Sequence, residues 1–284
     1  MKPESRRRIW RWIRTAVASA LLFLGLWAFW LEPASLVLSE ERVSLPLSTH
    51  RPLRVAILTD LHVGSPFNGI MRLRDVVRRT NAAQPDIVCI LGDVVMIHGI
   101  VGGRQVPPEE IAAELKHLSA AAGVVAVLGN HDGWFDHDRV RGALETSGVR
   151  VIEEASTRIE TPAGPLWFAG ISDLWTGRHD IAAALSSVRD DRASVVLLTH
   201  NPDVFPFVPG RVALTLAGHT HGGQVRLPWI GRPVVPSQFG QRFAAGHVVE
   251  GGRHLFVATG IGTSILPVRF RVPPTVTLLT LVPE

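Results

Sequence analysis

The stretch LTLAGHTHGGQVRLP, residues 214–228, places His219 and His221 one residue apart, between an apolar run and a pair of glycines. The run VALTLA before it is β-rich and short, so the histidines stand where a strand ends. They are either polar turn residues or ligands. Which of the two holds depends on whether other strands end the same way.

They do. LRVAILTD (53–60) runs into Asp60-Leu61-His62, and DIVCILGD (86–93) ends in Gly92-Asp93. VVAVLGN (124–130) ends in Asn130 followed by His131-Asp132, and SVVLLTH (194–200) ends in His200. Further strands are read at LWFAGIS (166–172), HLFVATG (254–260) and TVTLLTL (275–281). Helical patterns alternate with the early strands: MRLRDVVRRTNAA, PPEEIAAELKHLSAAA with prolines and acids at its start, DRVRGALETSG with a terminal glycine, and DIAAALSSV. Alternation of this kind predicts an α/β fold whose apolar strands are covered on both faces, with a second, mixed sheet in the strand-rich later half.

In open α/β sheets, ligand and catalytic residues gather at the carboxyl ends of strands. Asp60, His62, Asp93, Asn130, His200, His219 and His221 are therefore expected to converge on one crevice. Residues two apart on an extended chain point to the same side, so Asp60/His62 and His219/His221 could each supply two ligands. Seven such residues exceed the needs of one tetrahedral ion and suit two ions sharing a carboxylate, an arrangement that clamps the attacking and leaving oxygens of a phosphoryl displacement. The donors suit Mn, Fe or Zn. The single cysteine, Cys89, lies in an apolar run and excludes thiolate metal sites and internal disulfides.

Taken in order, DLH, GD, GNHD, TH and GHTHGGQ resemble the motif blocks of the calcineurin-like metallophosphoesterases, spanning Asp60 to Gln224. The segments EP after the N-terminal helix, GHTHGGQVRLP and ATGIGTSILPVRF resemble its membrane-anchored YkuE/YaeI-like branch, which is similar to UDP-2,3-diacylglucosamine pyrophosphatase. The resemblance implies a sandwich of two mixed β-sheets flanked by helices. It also implies two divalent metal ions, with Asp60, His62 and His221 on the first, Asn130, His200 and His219 on the second, and Asp93 bridging. His131 matches a histidine that does not bind metal, and the resemblance makes it catalytic: it would stabilise phosphoryl oxygens or protonate the leaving oxygen. Many relatives carry an acid three residues after the bridging aspartate to orient that histidine. Here the position is Met96, so the role falls to Asp132 or is absent, and Asp132 itself is read as structural rather than catalytic. Arg226 and Arg269 are the nearest candidate cations for a substrate phosphate, although surface packing explains each equally well; Asp173 and Trp175 are placed near the substrate pocket. None of His50, His98, His117, His137, His179, His247 and His254 is assigned to metal, and His117 is read as helical.

The 284 residues are 46% hydrophobic and 19% charged, a globular composition with a net charge of +4. Residues 1–31 hold six cations against Glu4, so the tail carries +5 and the remainder −1. A near-neutral body argues against a nucleic-acid surface. Thr15–Leu31 is an uncharged run of 17 residues, with tryptophans at both ends and arginines only before it. Such a run is long enough to cross a bilayer as a retained, single-pass anchor with its N-terminus in the cytoplasm and the body on the extracytoplasmic side. SRRRIW also resembles a twin-arginine export signal. The expected organisation is an anchor in 1–31, a linker with one edge strand in 32–52, and the phosphoesterase domain in 53–284.

The function expected is metal-dependent hydrolysis of a phosphodiester or pyrophosphate, on a phosphorylated small molecule or a lipid-linked, envelope-associated substrate. A UDP-2,3-diacylglucosamine-type substrate fits the resemblance, but that intermediate is made on the cytoplasmic side. A non-catalytic metal-binding scaffold and a nuclease on the same fold are the alternatives.

Overall fold

A computed structural model of the chain describes residues 3–47, 51–97, 101–189 and 194–284. His50 and His98 lie outside the described residues. The strands are β1 (Val37–Leu45), β2 (Leu53–Leu58), β3 (Ile87–Leu91), β4 (Val124–Val127), β5 (Arg150–Val151) and β6 (Ala155–Thr161). They continue with β7 (Gly164–Gly170), β8 (Val195–Leu198), β9 (Val212–Ala217), β10 (Gly246–Glu250), β11 (Arg253–Val257) and β12 (Thr275–Pro283). The α-helices are α1 (Pro3–Leu26), α2 (Ile70–Ala82), α3 (Pro108–Leu115), α4 (Asn130–Thr146) and α5 (Ile181–Leu185).

Two six-stranded sheets form, in the orders β1-β12-β2-β3-β4-β5 and β10-β11-β9-β8-β7-β6. Both are mixed: β12 runs antiparallel to β2, β6 to β7 and β10 to β11, and the other pairs are parallel. The edge strand expected within 32–52 is β1, paired with β12 along its whole length.

Alternation along the strands divides the core into three layers. On β3, Val88 and Ile90 face α2, α3 and α4, where they meet Leu73, Val76, Ile111, Leu115 and Leu144. Ile87, Cys89 and Leu91 point the other way, into the space between the sheets, against Phe168, Leu198, Leu214 and Leu216. Burial on both faces is why these strands read as unbroken apolar runs. On the far face of the second sheet, Leu197 and Val257 pack on Phe205 and Phe243.

Two readings need correction. α3 stops at Leu115, so His117 lies in the following turn; the run LSAAAG after it does not extend the helix. α4 begins at Asn130, earlier than its apolar pattern suggested, because the Asp132 carboxylate accepts from the Gly129 backbone N–H (3.0 Å) and caps the first turn.

At the N-terminus, Arg7–Ala34 is the one helical segment among the described residues long and apolar enough to cross a membrane. α1 passes into a single π-helical turn, Trp27–Leu31, and then meets the body. The buried Glu32 carboxylate accepts from Trp27 Nε1 and from the Val272 backbone N–H, each at 2.6 Å. The Arg269 backbone N–H donates to Ala28 O (2.9 Å), and Trp30 packs edge-on against Phe67.

Candidate metal centre

The two sheets meet at the carboxyl ends of β2, β3, β8 and β9, and the seven expected ligands are brought together there. Asp60 and His62 follow β2, Asp93 follows β3, Asn130 opens α4 after β4, His200 follows β8, and His219 and His221 follow β9. All seven are buried.

The convergence does not arise from an extended chain. Asp60, His62, Asp93, His219 and His221 all have left-handed backbones, with φ of 49°, 38°, 54°, 68° and 50°. Each is a non-glycine residue in a sparsely populated region, which persists only where surrounding structure enforces it. Here the enforcement is backbone crossing at close range. Asp60 N donates to Gly92 O (3.0 Å), His62 N to Asp93 O (2.9 Å), and Gly218 N to His200 O (2.9 Å). The His219 N–H donates to Asp60 Oδ2 at 3.0 Å, joining the first sheet to the second. Glycine makes this approach feasible: a Cβ on Gly218 would lie 2.0 Å from Thr59 Oγ1, and one on Gly260 2.6 Å from the Asp60 Cβ.

The donor atoms form a chain. His221 Nε2 stands 3.3 Å from Asp60 Oδ1 and 3.2 Å from His62 Nε2. His62 Nε2 lies 3.4 Å from Asp93 Oδ2, which lies 3.2 Å from His200 Nε2. His200 Nε2 is in turn 3.2 Å from His219 Nδ1. Two ligands each about 2.0–2.1 Å from one ion, at tetrahedral to octahedral angles, stand about 2.9–3.4 Å apart, so these spacings are those of coordination edges. Several buried polar atoms also lack a protein hydrogen-bond partner, among them Asp60 Oδ1 and Asn130 Oδ1. Orphaned buried atoms on this scale are costly unless a bound group satisfies them. The residues fit two divalent cations, with Asp93 Oδ2 within 3.4 Å of His62 Nε2 and 3.2 Å of His200 Nε2.

Charge points the same way. Burial alone would depress the His200 imidazole, yet the Asp93 carboxylate raises it to about 10, and His200 together with His131 and His62 holds Asp93 well below the usual carboxylate range despite its burial. Without metal, His200 therefore supplies the positive charge the site requires. Burial pushes His62 and His219 down to about 3 and, with His200 opposing, Asp60 up to about 6. His200 Nδ1 faces Leu91 O at 2.6 Å; that contact fixes Nδ1 as the donor and leaves Nε2 directed at the centre.

The sequence of the family described as calcineurin-like phosphoesterase matches residues 53–223. The chain belongs to the calcineurin-like phosphoesterases. This calcineurin-like chain is 28% identical to the metallophosphoesterase YkuE of Bacillus subtilis over 99% of both chains. It is 29% identical to the phosphodiesterase YaeI of Escherichia coli over 98% of this chain and 99% of that one. A transmembrane protein with a metallophosphoesterase domain from Danio rerio is 28% identical over 61% of this chain and 41% of its own length. As a calcineurin-like phosphoesterase, the protein is a metal-dependent hydrolase of phosphoesters.

Around the centre lies a cleft of about 400 Å³. His131 reaches it from the first turn of α4: its backbone N–H donates to Asp93 Oδ1 (2.8 Å) and its Nδ1 has no partner. Burial holds its imidazole below the ordinary value. Asp132 does not touch it. The Asp132 Oδ1 accepts from Val94 N and Val95 N (2.9 and 3.1 Å), so this carboxylate ties the loop after β3 to the start of α4 and leaves His131 unoriented by any acid.

The candidate phosphate cations are not in the cleft. Arg269 is fully buried and donates to the Gly262, Thr259 and Val272 carbonyls; a guanidinium spent on backbone cannot also clamp a substrate. Burial, offset by Asp60 and Glu32, lowers it to about 10. Arg226 is exposed outside the cleft lining. Asp173 is buried and accepts from Trp175 N (2.8 Å) and Thr176 N (3.1 Å), so it holds the loop that carries Trp175.

Sequence reading missed most of the cleft wall: Trp134, Ile97, Val234, Pro236 and Ile265. Trp134 stacks on Trp175 (6.0 Å, 25°), whose ring meets His219 edge-on at 4.5 Å. One signal existed for Trp134, which follows His131 by three residues on α4 and so shares its face. None of His117, His137, His179, His247 and His254 belongs to a metal-capable group among the described residues.

Proposed function

We propose that this chain is a two-metal phosphodiesterase, anchored to a membrane by residues 1–31 and carrying its hydrolase unit in 53–284 beyond the segment 32–52. The observation that carries the reading is the shared Asp93 carboxylate at the floor of a cleft walled by aromatic and aliphatic side chains. Asp60, His62 and His221 would hold one ion, Asn130, His200 and His219 the other, and Asp93 would serve both. Manganese, iron or zinc suits these donors. Bound there, two divalent cations supply Lewis acidity and lower the pKa of water enough to provide a nucleophile near neutral pH.

The chain's own groups do the rest. His131, its imidazole held below the ordinary value by burial and its Nδ1 unpartnered, donates a hydrogen bond to a phosphoryl oxygen as the neutral ring or, when protonated, delivers that proton to the departing oxygen. Trp134 and Trp175 receive a planar or apolar ester group beside it. A monoester dianion would call for arginine or lysine in the cleft, and none lines it among the described residues. The lining favours a singly charged diester, or a pyrophosphate carrying an apolar group, over a monoester. A lipid-linked or envelope phosphoester answers that description, and a UDP-2,3-diacylglucosamine-type molecule is one member of the class.

The purified full chain in detergent, with Mn²⁺ added, should hydrolyse bis-p-nitrophenyl phosphate faster than p-nitrophenyl phosphate, and UDP-2,3-diacylglucosamine serves as the lipid-linked probe. Preference for the monoester would overturn the diester reading. Retention of metal with no turnover on any of the three would instead favour a scaffold. The arginines before the apolar run support an extracytoplasmic body, with twin-arginine export as a route. A C-terminal reporter active only in the cytoplasm would reverse that placement.

A further inference from the structure

Two tight turns beside the cleft expose large apolar side chains that no core residue covers. The first is a hairpin closed by the Leu227 and Gly231 backbones, with N–H···O bonds of 2.7 and 3.0 Å in the two directions. Trp229 sits at its tip with φ of 62° and 102% exposure, and Ile230 beside it is 66% exposed. The second turn carries Ile265 and Leu266, exposed by 71% and 47%. The turns are joined: Arg226 N donates to Phe270 O (2.9 Å), and the Gln224 side chain bonds both Ser264 N and Leu266 O.

The segment that follows the second turn is also fastened to the end of the apolar helix, and the hairpin reaches it through Phe270. Arg269 N donates to Ala28 O, and Val272 N to the Glu32 carboxylate. Leu266 lies three residues from Arg269, and Trp229 three from Arg226, which is bonded next to Arg269. Three residues of chain reach at most about 10–11 Å. If α1 crosses a bilayer, Ala28 stands at its outer boundary, and the headgroup layer there is about 5–7 Å deep. The membrane surface is therefore within reach of the turn tips. Tryptophan favours that zone, and the exposed Arg226 and Arg271 beside the turns suit its phosphates.

We infer that the Trp229–Ile230 and Ile265–Leu266 turns form a membrane-seated rim that holds the mouth of the cleft against the lipid surface. The inference rests on the proposed membrane anchoring. Ser264, Ile265, Gln224 and Val234 line the cleft and belong to, or adjoin, these turns, so the cleft opens at the rim. An amphiphile can enter sideways, its phosphoester at headgroup level and its acyl chains still in the bilayer. The occupant of this surface is lipid, because the surface is continuous with a helix already committed to lipid.

Spin labelling tests this on the full chain, since Cys89 is buried and needs no removal. Nitroxides are placed at Trp229→Cys and, as the control, at Glu160→Cys, which pairs with Pro165 at the amino end of β7, the end of the sheet opposite the centre. In mixed phosphatidylethanolamine–phosphatidylglycerol vesicles, the label at 229 should be open to oxygen and closed to a water-soluble nickel chelate, and the control the reverse. Equal access of the chelate to both labels would overturn the inference. So would a label at 229 shielded from both reagents until the protein is diluted in lipid, which would mean a protein neighbour.

A functional arm separates this failure from failure of the hydrolase reading. The Trp229→Ser, Ile230→Ser, Leu266→Ser variant should keep bis-p-nitrophenyl phosphate hydrolysis within about twofold and lose about tenfold or more on a p-nitrophenyl phosphodiester of diacylglycerol carried in vesicles. Loss on neither or on both equally would count against the rim. Absence of turnover on the soluble diester in the unaltered chain would instead overturn the phosphodiesterase.

Discussion

Asp93→Asn removes the bridge without leaving a cavity, and the structure fixes how the amide must sit. The His131 backbone N–H donates to Asp93 Oδ1 at 2.8 Å, so the asparagine oxygen must occupy that position to keep the bond. The NH₂ group is then directed at His62 Nε2 and His200 Nε2, 3.4 and 3.2 Å from the atom it replaces. An amide nitrogen has no lone pair for a cation, so both ions lose a ligand and one unit of negative charge. Removing one partner from a buried charged set costs about 3–5 kcal/mol of fold stability. If the transition state loses as much stabilisation, the rate falls by about two to four decades. The assay is bis-p-nitrophenyl phosphate turnover by the full chain in detergent with Mn²⁺, with bound metal counted by mass spectrometry and folding checked by circular dichroism. A folded Asp93→Asn protein that binds two ions and turns over within tenfold of the parent would refute the shared-carboxylate centre.

His131→Ala should leave metal content unchanged and lower kcat about 10²–10⁴-fold; a drop in bound metal would instead make His131 a ligand. Gly218→Ala places a Cβ 2.0 Å from Thr59 Oγ1 and should destabilise the fold by at least about 1–3 kcal/mol, read as a lower melting temperature. In the metal-free protein, His200 is raised to about 10 by Asp93. A raised histidine contributes stability that is full below its unfolded pKa of about 6.5 and is lost as pH rises through about 10. The melting temperature of the metal-free chain should therefore fall across that window, and less so in Asp93→Asn. Metal loading at pH 7 must strip the same proton, so a lightly buffered titration should release about one proton per chain. Loading without proton release would show that His200 is neutral beforehand.

Much of the fold was legible because its determinants are local. Apolar runs of four to six residues followed by Asp, Asn or His marked β2, β3, β4, β8 and β9 with the candidate ligands that follow them. β5, β6 and β10 were not read: β5 has two residues, and on β6 and β10 most positions stay partly or fully exposed, so neither shows a buried run. The motif order also singled out seven residues that the fold brings together, although how they come together was misjudged. Left-handed backbone at Asp60, His62, Asp93, His219 and His221 is imposed by glycines and carbonyls of other loops, and no single segment carries that information.

Charged residues were the least readable. Arg269 looked like a phosphate cation because its neighbours in sequence are near the site, yet its guanidinium is consumed by three carbonyls of its own loop. Asp132 adjoins His131 in sequence but turns away to bind backbone N–H groups. A side chain's partners depend on which direction it leaves a fold, and that is set by tertiary packing.

The amino-acid sequence by itself determined the donor types, their order at strand ends and the apolar N-terminal helix, because composition and short-range periodicity encode them. Only the tertiary structure decided that two sheets supply one centre, that Asp93 lies between its two histidine groups, and that the helix end is fastened to the loops beside the cleft. Those relations join residues up to 240 positions apart, as in the bond from Val272 to Glu32, and exist only once the chain has closed on itself.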